Sequence, residues 1–371
     1  MKAFKKPFVF CIIYSIFLLL LSLSIILDAF VIPNEISPSG DGEILSAEIK
    51  FTFKEAEDTP IEDATSNNPK NEETTDFSTD ETSIIITEEN TSPVEDTTVE
   101  ICTENDTTLP ALPDTEPETE ADISYPIISD NEYRDENIKI TLQTVRLHNT
   151  QVYVADIYLS SAQYFKTAIA KNKFGTNIND KTSAIAEQNN AILAINGDFY
   201  GANKKGYVIK NGILYRDSVR SDYKYDDLCF MFDGSFKIFN EKEVSARDLL
   251  NMGVYQLFGF GPVLVNETEI CVKAGEEVGV AMSSNPRTAV GIVDELHYVF
   301  VVSDGRTKES EGLSLVQLAE FMKEHGCKTA YNLDGGGSST MYFNGRIVNK
   351  PVNRGSTISE RSVSDIVYIG Y

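Results

Sequence analysis

Histidine and cysteine are scarce in this chain, with three and five respectively among 371 residues. The cysteines have no CxxC spacing, so neither a zinc site nor a disulfide framework is encoded. Cys11 falls in an apolar run and Cys102 in an acidic stretch; Cys229, Cys271 and Cys327 remain, and they read as free thiols packed like small hydrophobes. Only His148, His297 and His325 could serve as a base, and no Gly-x-Ser-x-Gly turn is present, which argues against a serine hydrolase. Positive charge is also short, 32 Lys and Arg against 57 Asp and Glu, and no basic nucleic-acid surface is implied. There is no internal repeat.

The charge is unevenly placed. Lys2, Lys5 and Lys6 precede a run from Phe8 to Leu27 with nothing more polar than Tyr14 and a few serines. At about 1.5 Å per residue such a run is about 30 Å long, the thickness of a bilayer's hydrocarbon core. The expectation is a transmembrane signal-anchor helix over residues 8–32. By the positive-inside rule, residues 1–7 are then cytoplasmic and the rest of the chain lies outside the cell. A cleaved signal peptide would begin in the same way, but the one small-x-small triplet, Ser22-Leu23-Ser24, lies inside the apolar run. Between Glu35 and Asp135 there are 29 acidic residues against Lys50, Lys54, Lys70 and Arg134, a difference equal to the whole net charge of −25. Rich in Thr, Ser, Glu and Pro, residues 33–131 cannot bury enough apolar surface to offset chain entropy and read as a disordered spacer, or stalk.

Residues 132–371 are close to neutral and long enough for one large core. Alternating and β-branched runs recur at 138–145, 152–159, 191–195, 289–293, 297–302, 340–343 and 365–369. Asn211-Gly212, Asp233-Gly234 and Asn344-Gly345 sit between such runs, where a type I′ hairpin turn needs positive φ at both central residues. Helices are few: 314–325, with Ser314 and Gln317 in a capping-box pattern and Gly326 as the stop, and 182–189. The class is α+β, a single globular domain with a large mixed or antiparallel sheet.

Four segments place glycine beside polar groups at strand ends, where a rigid scaffold usually presents functional residues. Asn332-Leu333-Asp334-Gly335-Gly336-Gly337-Ser338-Ser339-Thr340 offers a carboxylate followed by three glycines whose amides could converge on an anion. Asn285-Pro286-Arg287-Thr288 offers a planar fork of donors for phosphate. Ser303-Asp304-Gly305-Arg306 repeats the pairing of carboxylate and guanidinium, and Asn196-Gly197-Asp198-Phe199-Tyr200 closes another strand. Each taken alone also satisfies a turn.

Together with Gly259-Phe260-Gly261-Pro262-Val263-Leu264 and Arg361-Ser362-Val363-Ser364-Asp365, these segments resemble the phosphodiester glycosidases related to the enzyme that uncovers mannose 6-phosphate, a family often labelled exopolysaccharide biosynthesis in bacteria. The likeness covers about residues 186–371. It implies hydrolysis of the bond between a sugar's anomeric carbon and a phosphate oxygen. A phosphate that keeps one ester is a weak base, so its departure needs charge neutralisation more than a strong acid. The resemblance therefore implies Asp334 as nucleophile or general base and Asp304 as the second carboxylate. Arg287 and Arg306, with the amides of Gly335, Gly336, Gly337, Ser338 and Ser339, are expected to hold the phosphate; Asn196, Asp198 and Asn332 complete the substrate-binding set. No cofactor is expected, although Asp and Asn could ligate calcium. The expected partners are a sugar phosphodiester or phosphate-containing polysaccharide of the cell envelope, and the membrane through the N-terminal helix, but no nucleic acid. The alternative is a non-catalytic envelope protein that uses the same features to bind an anionic polysaccharide and aid its assembly.

Overall fold

The computed structural model describes residues 5–37, 126–220, 226–277, 284–353 and 357–371. Most of the acidic stretch, residues 38–125, lies outside them. The N-terminal helix runs Lys5–Phe30, and its described side chains, residues 13–27, are exposed. Among the described residues no helix is long and apolar enough to cross a membrane, so the spanning role expected over 8–32 stands on the sequence alone.

Every strand pairing among the described residues is antiparallel. The expected large sheet is present as a nine-stranded antiparallel one, and a five-stranded sheet and smaller ones accompany it. Tight hairpins join many neighbours, a connection open only to antiparallel strands. The nine-stranded sheet has at its centre Thr329–Asn332, Arg287–Asp294, His297–Ser303, Thr150–Leu159 and Ile138–Leu147, in that order. The five-stranded sheet runs Arg346–Ile347, Met341–Phe343, Leu193–Asn196, Asp365–Ile369, Phe165–Ile169.

Alternation decides what each face meets. Ile138, Ile140 and Leu142 join Tyr298, Phe300 and Tyr331 from the large sheet with Leu193, Ile195, Phe343 and Val367 from the five-stranded one in a shared core. The other face of the large sheet, with Val152, Ala289, Val299 and Val301, is covered by the helix Leu315–Glu324 through Leu315, Leu318, Ala319 and Met322. That helix begins with the expected capping box between Ser314 and Gln317. Gly291 lets it come close, since a Cβ there would lie 2.7 Å from Met322 Cε. The helix Thr182–Gln188 covers the five-stranded sheet with Ile185 and Ala186. A third helix, Ala246–Asn251, capped by Ser245, was not expected. Cys229 and Cys327 are buried as foreseen, but Cys271 is exposed.

After the N-terminal helix, Asn34–Glu35 pairs with Gly175–Thr176 at the domain's edge, and Ile36 N donates to Phe174 O at 2.8 Å. Gly175 is required here because a Cβ would meet the Asn34 carbonyl oxygen at 1.9 Å. The chain thus reaches the domain within a few residues of the helix end.

Candidate active site

The four glycine-bearing segments converge where strand ends of the two large sheets meet. Asn196, the last residue of its strand in the five-stranded sheet, donates from Nδ2 to the backbone oxygen of Asp334 at 2.6 Å. Asp334 lies just beyond the end of a strand in the nine-stranded sheet and donates from its backbone N to Gly197 O at 3.3 Å. Thr288 Oγ1 donates to Asn196 Oδ1 at 2.8 Å and lies 3.2 Å from Ser339 Oγ. Arg287 N donates to Ser303 Oγ at 2.9 Å, which ties in the remaining segment.

The carboxylate of Asp334 is the chemical centre of this arrangement. Its Oδ2 accepts from Ser338 Oγ at 2.6 Å and from Arg361 Nη2 at 2.6 Å. Arg361 Nε also donates to Ser338 Oγ, at 2.8 Å. Burial raises the Asp334 pKa above the usual carboxylate value against the opposing pull of the Arg361 charge and the Ser338 hydroxyl. A carboxyl displaced upward lies closer to the pH at which proton transfer is efficient. The Arg361 side chain remains 38% exposed, so one face of the ion pair reaches solvent. The guanidinium also lies 5.8 Å from the ring centroid of Phe199. Phe199 is 39% exposed and holds a left-handed φ of 68°, a backbone state that non-glycine residues adopt at some cost and that is concentrated at functional sites.

Arg306 belongs to the same place. It is exposed, its Nε and Nη2 reach Asn285 Oδ1 at 3.2 and 3.0 Å, and it sits against Gly336, where a Cβ would come within 2.7 Å of Nη2. Asp304 faces a neighbouring cavity. Its carboxylate accepts from Lys350 N at 2.8 Å, Tyr153 OH at 3.2 Å and Asn349 Nδ2 at 3.4 Å, and burial raises its pKa against these donors. The same Asn349 nitrogen donates to Ser339 O at 3.0 Å, so one amide links Asp304 to the glycine segment.

Other residues expected to bind substrate are engaged elsewhere. Arg287 is buried, with Nε on Leu313 O at 2.8 Å and Nη2 paired with Glu277, so its fork is already occupied. Asn332 is buried and donates to Gly261 O at 2.7 Å. The triple glycine forms a 3-10 turn over Gly336–Ser338 rather than a nest. The amides of Gly336, Ser338 and Ser339 donate to Pro286 O, Gly335 O and Gly336 O. These glycines answer to close backbone approach: a Cβ on Gly335 would lie 2.9 Å from Pro286 O, and one on Gly337 would lie 3.2 Å from Asn353.

Asp198 sits in a buried cluster. Its Oδ1 accepts from Tyr200 N at 3.2 Å and its Oδ2 from Gly259 N at 3.0 Å, while Lys210 Nζ lies 3.3 Å from Asp198 and 2.9 Å from Asp365. Lys210 is fully buried; burial alone would lower its pKa, but the two carboxylates reverse the direction. Asp365 packs so closely under Gly197 that a Cβ would meet its carboxylate at 2.3 Å. This cluster fixes the turn from Asn196 to Phe199 from below, and it accounts for the acidic residue after Asn196-Gly197.

Ser338 has no histidine partner: its hydroxyl bonds Asp334 and Arg361. His297 Nε2 pairs with Asp156 at 2.6 Å, and His325 Nδ1 sits 2.8 Å from Phe321 O at its helix end. Among the described residues no group of three or more His, Cys, Asp and Glu is placed to hold a metal.

Known proteins share this arrangement of segments. Residues 189–370 match the family described as phosphodiester glycosidase. This part of the chain belongs to that family. An SPbeta prophage-derived uncharacterized protein, YomE, of Bacillus subtilis is 30% identical over 201 residues, covering 53% of this chain and 31% of its own length. The mouse N-acetylglucosamine-1-phosphodiester alpha-N-acetylglucosaminidase is 36% identical over 104 residues, covering 27% of this chain and 20% of its own. The chain thus spans a third or less of these relatives. The catalytic domain of the zebrafish enzyme of the same name shares the fold, with a TM-score of 0.52 and 21% identity over 63% of this chain and 83% of that one. Arg361, whose guanidinium holds Asp334, lies inside the matched region, as do Arg287 and Arg306.

Proposed function

We propose that this protein hydrolyses the bond between the anomeric carbon and the phosphate oxygen of a sugar-1-phosphodiester. Water adds to the sugar and a phosphomonoester leaves. The observation that carries the reading is the Asp334–Ser338–Arg361 cluster, a buried carboxylate of raised pKa whose cationic partner is open on one side. Asp334 acts on the sugar carbon or on the attacking water. Arg361 and Arg306 take the phosphate charge, with Arg361 in the place expected for Arg287 beside Arg306. Phe199 offers an exposed ring face to the sugar, and Asp304 is the second carboxylate.

The helix Lys5–Phe30 anchors the protein in the membrane, with its N-terminus in the cytoplasm and the domain outside. The lysines that precede the apolar run support this orientation, and the exposed apolar side chains from Ile13 to Leu27 support insertion. The substrate is then envelope or exopolysaccharide material. The test is release of sugar from a nitrophenyl-phosphate-linked N-acetylhexosamine and a panel of related sugar phosphodiesters. Turnover that disappears in Asp334→Asn supports the reading. Absence of turnover across the panel, with phosphate-dependent binding retained in Asp334→Asn, would replace it with a binding role.

A further inference from the structure

Beside Asp304 opens a cavity of about 610 Å³, within the range of ~300–1,000 Å³ typical of ligand sites. One wall is the hairpin of Ile138–Leu147 and Thr150–Leu159, which contributes Arg146 and Tyr153; the turn at 307–310, Lys350 and Ile358 supply the rest. Ile358 is the one aliphatic side chain among the lining residues. Hydroxyl and amide groups dominate the remainder, which suits a ligand rich in hydroxyls.

Two cations face this space. Arg146 and Lys350 are both exposed, and among the described residues neither is held in an ion pair. Asp304 is nearly buried and already accepts three donors, which leaves exposed Glu309 as the other carboxylate in the lining. The cavity neighbours the Asp334 site through one side chain, since Asn349 Nδ2 donates both to Asp304 Oδ1 and to Ser339 O.

We propose that this cavity is a second binding subsite for the part of the substrate beyond the scissile phosphate. That part is a polyol- or sugar-phosphate chain carrying at least one further phosphodiester, which Arg146 and Lys350 hold. The inference rests on the glycosidase reading of the Asp334 site, and it turns the substrate from a single phosphodiester into a repeating one. An arginine presents a planar pair of donors to a phosphate, and a lysine supplies a mobile point charge.

The test is calorimetric binding of a glycerol-phosphate oligomer with three phosphodiesters to the full chain, beside a neutral glycerol oligomer of equal length. The charged oligomer should bind and the neutral one should bind far more weakly. Arg146→Ala and Lys350→Ala should each weaken binding of the charged oligomer about two- to fivefold, as expected for exposed charge pairs. Glu309→Gln should tighten it, and added salt should reduce all these differences. Equal binding by the unmodified protein and the Arg146→Ala, Lys350→Ala double variant would overturn the subsite, as would no binding at all. Turnover of the small nitrophenyl substrate by the unmodified protein is measured separately. Its absence would remove the glycosidase reading and leave the binding result as it stands.

Discussion

Two clusters of carboxylate and cation lie against the turn from Asn196 to Phe199, and they differ in how far the cation is enclosed. Lys210, between Asp198 and Asp365, keeps only 2% of its side chain exposed, whereas Arg361, paired with Asp334, keeps 38%. A sealed cation has no route to another partner, so Lys210 can only hold the fold. One open to solvent can turn toward an arriving anion while it still tunes the carboxylate behind it. Charge type alone does not separate the two clusters; access of the cation to solvent does.

Each member of the two clusters can be tested. Asp334→Asn should lower turnover of a sugar phosphodiester by ~10²–10⁴-fold with the melting temperature nearly kept. Full turnover in that variant would end the assignment. Lys210→Met strands two buried carboxylates and should destabilise the fold by about 3–5 kcal/mol, read as a shift of the denaturation midpoint. Replacing Asp365 by Asn in the same chain should restore part of the loss. If Lys210→Met cost turnover but no stability, the division between the clusters would be wrong.

Arg361→Gln should reduce turnover by ~10²-fold, the scale for removing one charge-stabilising donor. It should also move the acidic limb of the pH profile. The guanidinium pulls the Asp334 pKa down against burial, so without it the carboxyl keeps its proton to higher pH and activity in the ionised form is lost earlier on acidification. An unmoved limb would show that Asp334 is not the titrating group. The smallest effect is expected for Phe199→Ala, a rise in KM of about two- to tenfold with kcat little altered. A loss confined to kcat would argue against a sugar platform.

Periodicity and turn chemistry made much of the fold legible. The strand Asp365–Ile369 and the capping box of Leu315–Glu324 stand where the pattern puts them. Asn211-Gly212 and Asn344-Gly345 are hairpin turns with positive φ at both residues, while Asp233-Gly234 has it only at Gly234. Two further tight turns, His148-Asn149 and Glu267-Thr268, reach positive φ without glycine and carry no such signal. The site was legible as a set of segments but not as roles. Arg287 and Asp198 read as ligand-binding groups in the sequence, and the ion pairs they make with Glu277 and Lys210, 10 and 12 residues away, carry no signal there. Arg361 was part of the recognised pattern, yet its role depends on meeting Asp334 across 27 residues of sequence, which spacing does not encode.

The pairing of Asn34–Glu35 with Gly175–Thr176 also sets a working distance. From Phe30, where the N-terminal helix ends, to Asn34 the chain can extend at most ~14 Å, at ~3.3–3.6 Å per residue. The 88 residues numbered 38–125 follow Asn34–Glu35 in the chain, so their length adds nothing to that reach. Lengthening or deleting that segment should leave the distance between the helix Lys5–Phe30 and the paired strand unchanged. Inserting residues between Phe30 and Asn34 should raise it.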